Sequence, residues 1–399
     1  MARRFMLVTA LLYAMLPLAG CWDQMELEQR GFVIGVAIDE GVTKPEELRG
    51  GKQSFRVTFQ EVIPAGLKDT GQSGESLAGK SYFNITLEGQ TMLSIIAQMS
   101  LMTSRSPFFE HLKLVIVSEK VARTEYGFAN VLDYFLRNND ARRNVSIMVS
   151  KGEAKSVLDT MPQGEKTPVQ FVQSISKNQD SYRMVPETRL GDVHEYLLKQ
   201  ESFVVQKVTT RDNYISLIGA AIMDGDDNKL VGMLDEKETE GYNYLYKGIK
   251  GGVLEVPVND NLVVFKVERV ERKVTADVSN PERLKFAIEL DVEGSMLEAY
   301  ERLDYLSDMT IADLQDRVTE SIHEVVDDTI NKTQKEVKKD VLGLGVYLKE
   351  RHPKVWDQVR DDWDTGANYF AASAIEVKTV VSLRRIGSVN NTEARDGEG

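Results

Sequence analysis

Gly74–Ser81 (GESLAGKS) is the first of several short stretches in this 399-residue chain whose residue types could support chemistry. It matches the G-x-x-x-x-G-K-S pattern of a loop whose backbone amides hold phosphates. That chemistry requires a strand directly before the loop and a helix that begins at Ser81. The residues that follow, Tyr82–Leu87, instead have the composition of a strand. We therefore predict a loop that leads into a strand, and no nucleotide site.

An acidic turn has the spacing of the start of a calcium loop, with Asp224, Asp226 and Asn228 at alternate positions. The sixth and twelfth positions of such a loop require Gly and Glu, but this chain has Lys229 and Asp235 there. Apolar segments flank the turn on both sides. The pattern thus favours a hairpin turn over a calcium site.

No other grouping of reactive residue types has catalytic or metal-binding spacing. Ser174 and Lys177 match Ser-x-x-Lys, but the companion Ser-Asp-Asn and Lys-Thr-Gly motifs are absent from the sequence. The histidines lack H-x-x-x-H and H-E-x-x-H spacing; they are His111, His194, His323 and His352. We predict that the protein is not an enzyme and that it holds neither a cofactor nor a metal.

Cys21, the single cysteine of the chain, has a clear chemical context. Arg3 and Arg4 precede an apolar segment, Phe5–Pro17, and Leu-Ala-Gly leads directly into the cysteine. This is the order of an export signal, and the apolar segment is shorter than the roughly 20 residues of a membrane span. Small residues followed by cysteine resemble a bacterial lipobox. We predict cleavage between Gly20 and Cys21, with S-diacylglycerol and N-acyl attachment at Cys21. The alternative is a secreted protein with a chance cysteine near its cleavage site.

Charge and compartment restrict the partners. The net charge is −13, and it becomes about −15 once residues 1–20 with their two arginines are removed. Such an acidic, exported chain is poorly suited to nucleic acid or to anionic lipid, so we predict no nucleic-acid binding and a protein that stands off the membrane on its tether. An acylated Cys21 leaves no thiol for disulfides or redox chemistry.

Strand and helix patterns alternate in the first part of the chain. Phe32–Asp39 is an apolar run typical of a buried strand, and Phe55, Val57 and Phe59 alternate with polar residues. Further strands are predicted at Tyr82–Leu87, Leu112–Val117 and Val145–Val149, and helices at Thr91–Thr103 and Tyr126–Arg137. The apolar face of the first helix is predicted at Leu93, Ile96, Met99 and Met102. This order predicts an N-terminal α/β domain with a mixed sheet over residues 21–160.

Residues 161–250 are predicted to form a middle region of helices and one hairpin. Prolines punctuate its polar beginning, which favours connecting helices that are mobile or partly packed. The predicted elements are helices at Thr167–Lys177 and Leu190–Lys199, strands at Tyr214–Met223 and Lys229–Leu234, and an acidic helix at Asp235–Tyr246.

Residues 251–390 are predicted to form a C-terminal α/β domain, followed by a disordered tail at 391–399. Its strands are expected at Leu262–Val270, Phe286–Val292 and Ile375–Leu383, and its long helix at Thr310–Val341. Gly343 and Gly345 are expected to close that helix as C-cap glycines. The chain is thus predicted to be an α/β (α+β) protein of three domains with mixed and antiparallel sheets.

Three stretches taken together resemble the Ger(x)C family, the lipoprotein C subunits of spore germinant receptors. They are Cys21–Glu28 leading into Phe32–Asp39, Gly219–Met223 with Leu230–Tyr242, and Val341–Leu348 with Pro353–Trp356, Asp362-Trp363 and Ile375–Gly387. One departure is Glu26-Leu27, where the family usually has an acidic residue followed by Ile.

The resemblance implies a three-domain α/β fold and a non-enzymatic subunit of a nutrient receptor. The protein would be lipid-anchored on the outer face of the spore inner membrane, beside polytopic A and B subunits. The complex would respond to a small nutrient such as an amino acid or a sugar. The alternative class is an extracytoplasmic solute-binding lipoprotein of a transporter, which usually has two lobes around a cleft.

Four side chains are candidate contacts with such partners. Trp356 and Trp363 are seven residues apart, so on one helix they would share a face that packs on a sheet or docks onto a membrane partner. Glu236 and Glu238 begin an acidic helix, where carboxylates suit the positive end of the helix dipole. Their alternative role is contact with basic loops of a partner.

Overall fold

The computed structural model describes residues 29–386, apart from 49, 51–52, 68–79, 126, 139, 163, 179–181, 247–250, 259–260 and 300–307. The predicted signal peptide, Cys21, the G-x-x-x-x-G-K-S loop as far as Gly79 and the tail at 391–399 lie outside these residues.

The described residues form fourteen strands. They are β1 (Arg30–Glu40), β2 (Phe55–Val62), β3 (Tyr82–Gly89), β4 (Ser106–Phe108), β5 (Leu114–Ser118), β6 (Ser146–Ser150), β7 (Phe203–Arg211), β8 (Tyr214–Ser216), β9 (Ala220–Met223), β10 (Leu230–Leu234), β11 (Val253–Val258), β12 (Asn261–Asp277), β13 (Lys285–Ala299) and β14 (Ala374–Ile386).

The helices lie between these strands along the chain. They are α1 (Pro64–Leu67), α2 (Met92–Met102), α3 (Glu119–Ala122), α4 (Phe128–Arg137), α5 (Lys155–Asp159), α6 (Pro168–Ser176), α7 (Leu190–Lys199), α8 (Glu236–Tyr246), α9 (Asp308–Ile330), α10 (Leu344–Arg351), α11 (Pro353–Val359) and α12 (Tyr369–Ala372). Short 3-10 turns occur at Pro45–Glu47, Pro281–Arg283 and Arg360–Asp362, and a π-helix at Asn331–Val337 continues α9.

The first sheet is mixed, as the sequence predicted, and has the order β10-β9-β7-β6-β5-β1-β2-β3. Its centre, β1-β5-β6-β7, is parallel, and the strands on either side of that centre are antiparallel. Every residue of β5 and β6 is buried, which suits their continuous apolar sequences because helices cover both faces. Sequence analysis did not predict β7, although this strand joins the two halves of the sheet.

This sheet is continuous across residue 160, because β7, β9 and β10 extend the sheet that begins with β1. The boundary proposed there therefore does not mark an end of the sheet, and the division into three domains stays a prediction. Helices α6 and α7, expected to be mobile or partly packed, are firmly packed. Their Val169, Val172, Leu190 and Val193 side chains are at most 1% exposed.

Helices cover both faces of the first sheet. Helices α2, α4 and α7 contribute to one core cluster, and α5 and α6 to another. The buried face of α2 differs from the prediction, since it consists of Met92, Ile95, Ile96 and Met99. Leu93 and Met102, assigned to that face from the sequence, are 67% and 71% exposed.

The second sheet has the order β11-β12-β13-β14. Strand β14 runs parallel to β13, so the chain crosses over through α9 to α12 before it returns. Side chains at alternate positions of β14 turn inward, as predicted, with Val381 only 8% exposed. A single core cluster joins this sheet to α8, α9 and part of the first sheet, including Val204 and Ile222.

The long helix does not end at glycine as predicted. Its π-helical last turn ends at Lys338, which adopts a left-handed conformation with φ 59°. Gly343 instead precedes α10, and Gly345 lies within α10. Both predicted C-cap roles are therefore wrong, because the chain passes through residues 339–342 before the next helix begins.

Gly241 marks the close crossing of α8 and α9. A Cβ atom added there would lie 2.0 Å from the Val325 carbonyl oxygen and 2.2 Å from Thr329 Oγ1. The carbonyl belongs to the backbone of α9, so only a shift of one helix could relieve the clash. Glycine at this position thus permits the two helices to touch.

Gly241→Ala should lower the free energy of unfolding by at least about 1 kcal/mol, because overpacking exceeds the gain of about 1 kcal/mol in helix propensity. Urea denaturation followed by circular dichroism measures the change. Gly191→Ala in α7 is the matched control, since its added Cβ meets nothing closer than 3.4 Å, and it should be neutral or stabilising. Equal effects of the two substitutions would contradict this packing argument.

Candidate functional site

A cleft of about 970 Å³ lies where the part of the chain that forms the first sheet meets the part that forms the second sheet. Helix α7 and strand β7 line it from the first sheet, and residues between Asp340 and Thr365 line it from the crossover of the second sheet. Tyr242 and Tyr246 of α8 and Arg272 of β12 also face it. The walls combine aromatic rings with charges of both signs.

The carboxylate of Asp340 organises one side of the cleft. Its Oδ1 accepts the backbone N–H groups of Leu342 (3.1 Å) and Leu344 (3.2 Å). Its Oδ2 accepts Gly345 N–H (2.6 Å) and Trp363 Nε1–H (2.8 Å). Burial raises the pKa of Asp340, and these hydrogen bonds oppose that shift. The carboxylate thus fixes both the turn that precedes α10 and the tryptophan ring.

Trp363, a predicted partner contact, is only 5% exposed. Its ring packs edge-on to Phe286 of the second sheet, with centroids 6.1 Å apart, and lies 5.9 Å from the ring of Trp356. The two tryptophans do not share one helix, because α11 ends at Val359 and a 3-10 turn follows. Trp363 therefore belongs to the core of this chain, whereas half-buried Trp356 lines the cleft.

Polar contacts across the cleft tie the crossover to the first sheet. Asp364 Oδ2 accepts the Ser202 hydroxyl (2.8 Å) and the Asp340 N–H (3.1 Å). Lys339 Nζ lies 2.9 Å from Asp224 Oδ1 and 3.8 Å from Asp364 Oδ1. The side chains of this lysine and both aspartates are at most 12% exposed. The interface between the two parts thus depends on a buried network of charges.

Arg272 places a second cation at the cleft. Its Nη1 and Nη2 donate to the carbonyl oxygens of Tyr246 (3.3 Å) and Leu342 (3.1 Å). Burial lowers the pKa of this guanidinium, and the nearby carboxylate of Asp340 opposes that shift. Tyr246 also stacks on Tyr242, with centroids 5.2 Å apart. The cleft therefore places a buried guanidinium beside aromatic surface.

Asp340→Asn should lower the free energy of unfolding by about 3 kcal/mol and shift Trp363 fluorescence to the red. One amide nitrogen would then face N–H donors that need an acceptor. Urea denaturation followed by tryptophan emission measures both effects. Asp361→Asn is the control, since that side chain is 91% exposed and the change should stay within about 0.5 kcal/mol. A neutral Asp340→Asn would contradict the role assigned to this carboxylate.

The other predicted partner contacts, Glu236 and Glu238, are engaged within the chain. Glu236 forms an ion pair with Arg183. Glu238 caps α8: its Oε2 accepts the Asp235 N–H (2.8 Å), and its own N–H donates to Asp235 Oδ1 (2.9 Å). These contacts fit the expectation that carboxylates stabilise the start of this helix. The side chain of Glu238 is only 17% exposed.

Glu240, two residues further along α8, is 5% exposed. Its Oε1 is buried without a hydrogen-bond partner, and burial raises the pKa of this carboxyl to about 7. Arg183 opposes the shift, whereas Glu236 adds to it. The sequence assigns this residue only to an acidic helix and does not predict its burial.

The raised pKa of Glu240 predicts a stability that depends on pH. The pKa of Glu240 is about 7 in the folded chain, above the ordinary value of 4.5. Its contribution to stability is therefore fully present below pH 4.5 and is lost as pH rises through 7. The full loss is about 3 kcal/mol. Glu240→Gln should remove this dependence, measured as the difference from wild type in urea denaturation between pH 4.5 and 8. Parallel profiles for the two proteins would contradict the burial argument.

The remaining sequence patterns serve structure. Strand β3 begins at Tyr82, directly after Ser81, and the Ser81 hydroxyl donates to the Lys166 carbonyl, so the predicted strand after the loop is confirmed. Asp224 begins the turn between β9 and β10, which confirms the predicted hairpin. Within the part of the chain that the structure describes, no three or more His, Cys, Asp or Glu side chains are grouped to hold a metal.

The residues that build the cleft were missed by sequence analysis. No recognised motif in the sequence includes Arg272, Lys339 or Asp340. A weak signal existed at Asp340, because an aspartate before a Gly-containing turn commonly accepts nearby backbone N–H groups. Its partner Trp363 is 23 residues away, and local spacing gives no indication of that contact.

Comparison with known proteins identifies the family. Residues 23–210 match the model described as "Spore germination protein N-terminal domain", and residues 218–387 match "Spore germination B3/ GerAC like, C-terminal". The chain belongs to the Ger(x)C family of spore germination proteins. The resemblance inferred from the three sequence stretches is thereby confirmed.

Relatives from Bacillus subtilis (strain 168) match over nearly the whole chain. Spore germination protein YndF is 27% identical over 389 residues, which cover 94% of this chain and 95% of YndF. Spore germination protein B3 is 26% identical over 365 residues, which cover 89% of this chain and 92% of B3. The crystal structure of the GerBC protein superimposes with a TM-score of 0.57 at 20% identity, over 90% of this chain and 99% of GerBC. This Ger(x)C protein therefore shares the GerBC fold, and the predicted mixed α/β class is confirmed.

No helix among the described residues of this Ger(x)C protein is long and apolar enough to cross a membrane.

Proposed function

We propose that this protein is a lipid-anchored, non-enzymatic subunit of a nutrient germinant receptor, required for germination in response to small nutrients. The observation that carries the proposal is the pair of family matches, which occur in chain order over residues 23–210 and 218–387. Relatives named as spore germination proteins support the same role, because they align over about nine-tenths of both chains.

The anchor is proposed at Cys21. The lipobox-like sequence ends at this cysteine, and the family match begins two residues later, at residue 23. Strand β1 begins at Arg30, so only a short segment would separate the lipid from the fold. Dual acylation would hold the protein stably, since a single acyl chain binds membranes only marginally. We place the protein on the outer face of the spore inner membrane.

The proposed partners are the polytopic A and B subunits of the receptor. A small nutrient would act through the complex, and nucleic acid would have no part in it. Intramolecular contacts and burial make Trp363 and Glu238 poor candidates for the partner surface. Two of the four candidates remain: half-buried Trp356 at the cleft, and Glu236, whose side chain is 46% exposed in its ion pair with Arg183.

Cys21→Ala should abolish incorporation of labelled fatty acid, release the protein from membranes and remove the nutrient response of spores. The sulfur is the attachment atom in this proposal, so no other residue can replace it. Metabolic labelling, membrane fractionation and the loss of optical density during germination measure these effects. Gln24→Ala is the matched control, because it changes the same short segment and keeps the cysteine.

The two parts of the proposal fail separately. A Cys21→Ala protein that remains labelled and membrane-bound would contradict the anchor. Spores that lack the protein and germinate normally with every nutrient tested, together with loss of nutrient uptake, would contradict the receptor role and favour a transporter lipoprotein instead. Calorimetric titration of the purified protein with amino acids and sugars would then identify the solute.

A further inference from the structure

Helix α2 presents an unusual surface. None of its eleven residues (MLSIIAQMSLM) is charged, although one side of the helix faces outward. On that side, Leu93, Leu101 and Met102 are 67%, 87% and 71% exposed. Leu93, Ala97 and Leu101 follow one another at intervals of four, so they form a continuous apolar stripe. A stripe of this kind marks an interaction surface rather than a solvated helix face.

The sheet register places the C-terminal end of α2 near the start of β1. Phe55 of β2 pairs with Glu40 of β1 and with Gly89 of β3, so α2 begins beside the far end of β1. After α2, strand β4 pairs Ser106 with Arg30. Ser106 is the fourth residue after Met102, which places the Cα atom of Met102 within about 20 Å of that of Arg30.

The proposed lipid lies within reach of this end of the helix. Cys21 precedes Arg30 by nine residues, a segment that spans at most about 30 Å when fully extended. An acylated cysteine would therefore allow Leu101 and Met102 to reach the bilayer surface. Arg105, exposed just beyond the helix, adds a basic side chain of the kind found beside lipid headgroups.

We infer that the exposed face of α2 lies against the lipid bilayer, with its apolar stripe at the boundary between headgroups and acyl chains. This inference rests on the lipid anchor of the proposed function. It revises the expectation, drawn from the net charge of −13, that the protein stands off the membrane. Apolar contact does not require an anionic surface, so zwitterionic lipid is sufficient.

A site-specific fluorophore tests the inference. Cys21 is the single cysteine, and attachment of diacylglycerol converts its thiol to a thioether, so an introduced cysteine becomes the one labelling site. Met102→Cys in α2 and Tyr214→Cys in β8 are matched, since both residues are 71% exposed. Tyr214 lies in β8, which pairs with β7, and β7 is five strand positions away from β3, the strand that α2 contacts. Each lipidated, labelled protein is reconstituted alone into phosphatidylcholine vesicles with brominated acyl chains.

We expect both proteins to float with the vesicles, and the bromine to quench the fluorophore at position 102 but not at 214. Leu101→Gln, combined with Met102→Cys, should reduce that quenching without unfolding the chain, because Leu101 is 87% exposed. Equal quenching at positions 102 and 214, or none at 102, would overturn the inference. If the label at position 102 changes its fluorescence only when polytopic subunits are added, that result would also overturn the inference and assign the face to a protein partner.

Flotation separates this inference from the proposed function. Failure of both labelled proteins to float would contradict the anchor at Cys21, and the inference would fall with it. Flotation of both proteins without quenching at position 102 would leave the anchor intact and remove only the contact between α2 and the bilayer.

Discussion

The carboxylate of Asp340 accepts four N–H groups, three from the backbone between Leu342 and Gly345 and one from Trp363. Because a buried carboxylate requires such donors, this segment can adopt few other conformations. The same turn places Lys339 against Asp224 of the first sheet. The hydrogen bonds of this one carboxylate therefore support three features: the cleft, the packing of Trp363 on the second sheet, and the contact between the two sheets.

Sequence patterns predicted those elements whose burial is periodic along the chain. Strand β14 has its predicted inward face because its alternate apolar residues are the ones that pack. Helix α7 has its predicted bounds because its apolar residues are spaced as on one helix face. Strand β7 was missed, since its mixed sequence is buried mainly by neighbours distant in the chain. The same reason applies to Asp340 and Arg272, whose roles depend on partners that no local motif specifies.

The three glutamates at the start of α8 lie in three different environments. Glu236 pairs with an arginine at the surface, Glu238 caps its own helix, and Glu240 is buried without a hydrogen-bond partner for one of its oxygens. The helix dipole favours carboxylates in the first turn, at Glu236 and Glu238, but it does not account for the burial of Glu240 in the next turn. Tertiary packing against Arg183 and the neighbouring tyrosines makes the distinction, and it becomes visible only in the folded chain.

The parallel pairing of β13 with β14 has a consequence for how an exported chain acquires its structure. If the chain is exported as proposed, its residues reach the outer face in order, and β14 is the last described strand to arrive. Until it does, the long edge of β13 presents unpaired backbone groups, which invite pairing with other chains. The segment that carries Asp340 emerges before β14, so the contacts between the two sheets can begin to form while that edge is still open. Under that proposal, the chain would be most exposed to misassembly just before β14 is released.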